Sequence, residues 1–205
     1  MRKAAAILGA GLLTMLAGDG CQKKLGEGTH VLPDTGPSEF AEAERLATEA
    51  QKAQKAGNVA KAMELYNQSL EHSRTIWWVH NNIGLLFLQQ GDRMHAVEEF
   101  KEAVDLETRD PRPEFNIGCV YADNAQPDRA MEYFRKSLEK DPHYLPSLRG
   151  VAKVGRSLAM ADEESLQWIK DGLLIEKDPA WRKIFEEEKY RIDGVLQSTG
   201  KAGKF

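Results

Sequence analysis

Residues 77–110 read WWVHNNIGLLFLQQGDRMHAVEEFKEAVDLETRD, and residues 111–144 read PRPEFNIGCVYADNAQPDRAMEYFRKSLEKDPHY. Laid one above the other, the two blocks keep residue type at fixed offsets. The eighth positions are Gly84 and Gly118, the eleventh Phe87 and Tyr121, and the twentieth Ala96 and Ala130. The twenty-fourth are Phe100 and Phe134, and the twenty-seventh Ala103 and Ser137. A block starting at Ala43 repeats the pattern with Ala50, Ala53, Ala62, Tyr66 and Ser69. Self-similarity at a period of this size marks an array of supersecondary units, each unable to bury its apolar face alone.

In the helical repeat that these blocks resemble, each block is two antiparallel helices joined by a tight turn. Small residues at the eighth and twentieth positions let the helix axes approach, and the aromatic at the twenty-fourth fills the gap to the next unit. Gly57 and Gly91 fall where the first helix must stop and reverse, which suits a residue tolerant of positive φ. Asp110-Pro111 and Asp178-Pro179 place a capping carboxylate before a proline at the first helical position, Asp141-Pro142 ends the third block, and Ser38 is a candidate N-cap.

These residues resemble the tetratricopeptide repeat, whose pattern is small-x-x-Tyr, then Ala-x-x-x-Phe-x-x-Ala, then Pro, over 34 residues. The resemblance implies an all-α chain, a right-handed α-solenoid of about four antiparallel helix pairs. The repeats fall at about 43–76, 77–110, 111–144 and 145–178. The fourth is degenerate: Leu148, Val151 and Ala152 match its first helix, and Asp162 reads as the N-cap of its second. Ser165, Ile169 and Gly172 then stand in for Ala-x-x-x-Phe-x-x-Ala, at the cost of one extra residue in the turn. A final helix over 179–196 carries Trp181, Ile184, Phe185, Ile192, Val195 and Leu196 mostly on one face, as a cap for the open end requires. Residues 38–196 thus form the repeat domain, and 197–205 a frayed tail.

The N-terminus reads as targeting. Arg2 and Lys3 precede an apolar run from Ala4 to Ala17, with small residues at Gly18 and Gly20. Residues 1–20 are therefore expected to be a signal peptide, with Cys21 behind it. This resembles a bacterial lipoprotein signal, in which such a cysteine is acylated. Gly20 fits the lipobox, whereas Asp19 and Gly18 depart from it. The resemblance implies lipidation at Cys21, a flexible tether over 22–37 rich in Gly, Pro and charge, and a lipid-anchored position on the periplasmic side of the bacterial cell envelope. An unlipidated secreted or periplasmic protein is the alternative.

Composition bounds the function. A net charge of −4 with no basic stripe argues against nucleic acid. The two cysteines, Cys21 and Cys119, do not form a disulfide framework. Phosphate-loop, nucleophile-elbow and zinc-ligand spacings do not occur, and His30, His72, His80, His95 and His143 show no i, i+4 pairing. No cofactor, metal, small-molecule substrate or enzymatic activity is expected.

The resemblance implies a partner instead: a protein or peptide segment held in the concave groove lined by the first helix of each repeat. Mapped onto this chain, the groove takes Trp78, Asn81, Asn82, Leu85 and Gln89 from the second repeat. It takes Arg112, Phe115, Asn116, Cys119 and Asp123 from the third, and Arg149, Lys153 and Arg156 from the fourth. Each has a plainer alternative. Asn82 and Asn116 could bond their neighbours, and Phe115 could pack on the second repeat. Cys119 reads as a half-buried filler, and the basic trio could be a solvated face. Of the adjacent Trp77 and Trp78, one is expected packed and the other presented. The Lys and Asn of a carboxylate clamp are lacking in the first repeat, where Ala47 and Gln51 stand. The architecture is similar to tetratricopeptide lipoproteins that assist assembly of outer-membrane machines such as pilus secretins. The alternative function is a self-associating assembly protein that uses its convex face or terminal helix.

Overall fold

The structure, a computed structural model, describes residues 37–106 and 109–200. The signal segment, Cys21 and almost all of the tether lie outside the described residues. Among those described there are nine helices and no strand. They are α1 (Pro37–Lys55), α2 (Val59–His72), α3 (Trp77–Gln89), α4 (Arg93–Asp105), α5 (Arg112–Asp123), α6 (Pro127–Lys140), α7 (Leu145–Ser157), α8 (Glu163–Ile175) and α9 (Pro179–Ser198). Consecutive helices pack against one another throughout, and α5, α7 and α9 also touch in succession. The fold is the expected α-solenoid of four helix pairs with α9 closing its end.

The packing rests on rings laid against glycines. A Cβ added to Gly84 would lie 2.6 Å from Phe100, and one added to Gly118 would lie 2.7 Å from Phe134. Phe134 also covers Gly150 of the next repeat, where a Cβ would meet it at 2.7 Å. The twenty-fourth-position aromatic therefore serves its own helix pair as well as the following one. Tyr66, Phe100 and Phe134 are at most 2% exposed. Gly172 of α8 receives Phe185 of α9 in the same manner, which seats the cap.

Four turns share one geometry at a spacing of 34 residues. Gly57 and Gly91 have φ of 77° and 82°, and Ala125 and Ala159 occupy the same left-handed region at 54° and 51°. The N–H groups of Asn58, Asp92, Gln126 and Met160 donate to the carbonyls of Ala53, Phe87, Tyr121 and Gly155. This is the Schellman closure, which satisfies carbonyls left open at a helix end. Three of the four second helices then start on capping side chains, whereas α6, with Gln126 as its N-cap, starts without one. Asn58 accepts from Lys61 N–H at 3.1 Å, Asp92 from His95 N–H at 3.1 Å, and Asp162 and Ser165 form a reciprocal capping box.

Several boundaries differ from the sequence reading. Helix α1 starts at Pro37, so Ser38 lies in its first turn and is not the N-cap. The fourth turn holds two extra residues, not one. Elsewhere the N-cap follows the left-handed residue directly, whereas Asp162 stands three positions after Ala159. The core face of α8 is displaced by only one, because that helix starts a residue later relative to it. Helix α9 runs to Ser198, two residues into the expected tail. Asp110 accepts from Arg112 N–H at 3.0 Å, but the N-cap of α5 is Pro111, so that proline is not the first helical residue as expected.

Replacing Gly84 with Leu drives a side chain into the Phe100 ring and is expected to cost about 1–3 kcal/mol, read from urea unfolding; an unchanged midpoint would show that the ring is not locked there. Replacing Ala125 with Gly relieves a left-handed alanine and is expected to raise stability by about 1 kcal/mol in the same assay.

Candidate functional site

The third and fourth repeats, together with α9, enclose a cleft of about 310 Å³. Helix α5 contributes Phe115, Cys119, Ala122 and Asp123, α7 contributes Pro146, Arg149, Gly150, Lys153 and Val154, and Trp181 comes from α9. Phe134 of α6 forms part of the floor. Phe115 is fixed by two rings, with Phe134 at 5.9 Å and Tyr144 edge-on at 5.7 Å. Trp181 lies under two cations: the Arg149 guanidinium and the Lys153 ammonium are each 5.0 Å from its ring. Such contacts orient the ring as well as stabilise it.

Of the groove residues expected from sequence, the cleft brings together Phe115, Arg149 and Lys153, with Cys119 and Asp123. The other side chains go elsewhere. Asn81 is buried and accepts from Asn116 Nδ2 at 2.9 Å, while Asn82 donates to the Tyr66 hydroxyl at 3.0 Å. Tyr66 in turn donates to Gln54 at 2.9 Å, and burial raises its phenol pKa to about 12. Asn116 thus ties α5 to α3, and Asn82 ties α3 through Tyr66 of α2 to Gln54 of α1. Leu85 packs against the core around Phe100 and Ile117, and Gln89 is exposed at the end of α3.

The tryptophan pair does not divide as expected. Trp78 packs against the core of the first two repeats. Trp77 is also half-buried, with the Arg112 guanidinium 5.1 Å from its ring. Arg112 is held there by Asp110 at 2.7 Å and so faces the adjoining repeat.

The basic trio is largely compensated. Arg149 donates two bonds, at 2.7 and 2.8 Å, to Glu176, whose side chain is 1% exposed. Arg156 pairs with Glu188 and, at 3.2 Å, with Glu187. Glu188, also 1% exposed, is shared with Arg191. Lys153 is the member of the trio with no carboxylate partner among the described residues. The Arg149 guanidinium and the N–H groups of Asp178 and Lys177 hold the Glu176 carboxyl down to about 2. Burial and the nearby Asp123 charge push the Cys119 thiol up to about 12, leaving it unreactive as a nucleophile. No cluster of His, Cys, Asp and Glu suited to a metal occurs among the described residues, and no described helix is long and apolar enough to cross a membrane.

Sequence reasoning missed Trp181 as a wall of the cleft, because its apolar spacing assigned it to the capping face. It also missed Glu176 and Glu188, which read as ordinary surface acids. A carboxylate between two helices that carry arginines was the available signal.

Residues 79–110 and 115–144 match the family model of the tetratricopeptide repeat, so these two segments are tetratricopeptide repeats. Photosystem I assembly protein Ycf3 of Synechococcus sp. (strain CC9902) is 32% identical over 94 residues, covering 44% of this chain and 54% of that protein. Tetratricopeptide repeat protein 6 of Homo sapiens is 29% identical over 86 residues, covering 42% of this chain and 16% of that one. The chain therefore spans about half, or much less, of these curated relatives. Among solved structures, Pseudomonas aeruginosa pilF superposes with a TM-score of 0.62 at 21% identity, covering 79% of this chain and 78% of its own. YrrB, described as a TPR protein with an unusual peptide-binding site, gives 0.60 at 15% identity, with 82% of each chain covered. The first TPR of Spaghetti (RPAP3), bound to the HSP90 peptide SRMEEVD, gives 0.55 at 16% identity and covers 59% of this chain and 96% of its own. At these identities the likeness establishes the fold.

Because the Glu176 carboxyl is depressed in the folded chain, its stabilising contribution is complete above the ordinary glutamate range and is lost as pH falls towards about 2. Glu176→Gln is expected to lower the melting temperature at neutral pH, and the gap to the unsubstituted chain should close on acidification. A gap independent of pH would remove the ion pair as its cause.

Proposed function

We propose that the chain is a non-enzymatic protein-interaction module of the bacterial cell envelope, exported, acylated at Cys21 and tethered through residues 22–37. Its concave groove holds a peptide or helical segment of an envelope protein and assists assembly of an envelope complex. The observation that carries the reading is the cleft between α5, α7 and α9, whose apolar floor and few polar groups suit a segment of another chain. Relatives and neighbours described as an assembly protein or as peptide-binding support it by analogy of fold. The signal-like N-terminus supports the location.

Self-association through the terminal helix is the second reading. Tyr190, 77% exposed, and Val195, 39% exposed, both lie on α9 and favour it.

Three measurements decide. Replacing Cys21 with Ser is expected to move the protein from the membrane to the soluble fraction, and retention on the membrane would sink the lipid anchor. A pull-down from the source organism's envelope is expected to capture a partner that Phe115→Ala/Lys153→Glu loses. Capture by both forms would take the interface away from the groove, and a mass that rises with concentration would put self-association in its place.

A further inference from the structure

The cleft has a chemical polarity that the repeat fold does not require. Capping is carried by Phe185, Ile192 and Leu196, each at most 3% exposed, whereas Trp181 is only half-buried and lines the cleft. On this wall the Arg149 cation is accessible while its Glu176 counter-charge is hidden, and Asp123 of α5 is the one exposed carboxylate in the lining. The Arg149 side chain keeps 32% exposure while Glu176 keeps 1%. Lys153 is exposed and has no carboxylate partner among the described residues, so an occupant that removes its water must replace that compensation. A second cleft of about 500 Å³ shares Ala122, Asp123, Lys153 and Val154 with the first and extends it to the turn at Ala125 and Pro127. The site is thus elongated, as a chain segment needs.

Resting on the interaction-module reading above, we infer that this cleft takes a peptide segment in which a large apolar side chain has an Asp or Glu within two residues of it. The apolar group seats between Phe115 and Trp181 over Phe134. The carboxylate meets the Lys153 ammonium beside Arg149. Trp181, on the terminal helix, is then a specificity-determining residue as well as part of the cap.

The test is selection of a random dodecapeptide phage library on the 205-residue chain, followed by calorimetric titration of the selected peptides. Expected are sequences pairing Leu, Ile, Met or Phe with a neighbouring acid. Trp181→Ala should weaken them by about tenfold or more, as removal of an aromatic anchor does, and Trp181→Phe should largely restore binding. Lys153→Glu, a change at an exposed position, should invert the preference towards peptides with Lys in place of the acid. Helicity of each variant is checked by circular dichroism, and if Trp181→Ala loses it, Lys153→Glu and Trp181→Phe carry the decision. Selected peptides without an acid, or binding indifferent to Lys153→Glu, overturn the inference and leave the groove reading standing. A library that yields no binder overturns both. A dimer that Trp181→Ala dissociates puts a second copy in the cleft and also overturns the inference.

Discussion

Everything in this array depends on two helices coming closer than side chains ordinarily allow. Gly84 under Phe100 and Gly118 under Phe134 remove the methyl that would hold the axes apart, and the ring takes its place. The contact is dense and unforgiving, since interiors pack like crystals. It also sets the direction of growth. Because Phe134 reaches Gly150 as well as Gly118, each pair presents the surface on which the next is built. The first helices are consequently stacked in register, and a cleft between α5 and α7 follows from the stacking and is not an added feature.

A second layer of polar ties fixes the register of that stack. Asn116 to Asn81 joins two neighbouring first helices, and Asn82 to Tyr66 joins α3 to the second helix of the preceding pair, through bonds that an apolar core would lack. Glu176 and Glu188 do the same at the far end, each buried and each answered by an arginine from α7. Buried carboxylates add little net stability over apolar packing, but an uncompensated one is costly, so such pairs penalise any misplaced helix. They weld the cap to the fourth repeat, where the repeat pattern itself is weakest.

The fold was legible because its information is periodic. Small residues at fixed offsets, a ring at the twenty-fourth position and turn glycines 34 apart each carry little alone and much together. The left-handed turns at Ala125 and Ala159 were not legible, since alanine does not advertise that conformation; geometry inherited from the glycine turns imposes it. The site was only partly legible. Register arithmetic found Phe115, Arg149 and Lys153, but it assigns a face, not an environment. Asn82, Asn116 and Leu85 lie on the right helices and turn out to serve their neighbours. Trp181 was hidden because one apolar residue on an amphipathic helix looks like every other until the partner helix is placed.

The double position of Trp181 ties occupancy of the cleft to the docking of α9. Among the described residues α9 packs mainly on α7 and α8, and this docking is what brings Trp181 to the cleft. An occupant resting on Trp181 binds only while α9 is docked, and by mass action it shifts the fraying equilibrium towards the closed form. Docking of α9 and loading of the cleft are then linked equilibria, so an occupant of the proposed kind would protect α9 against proteolysis.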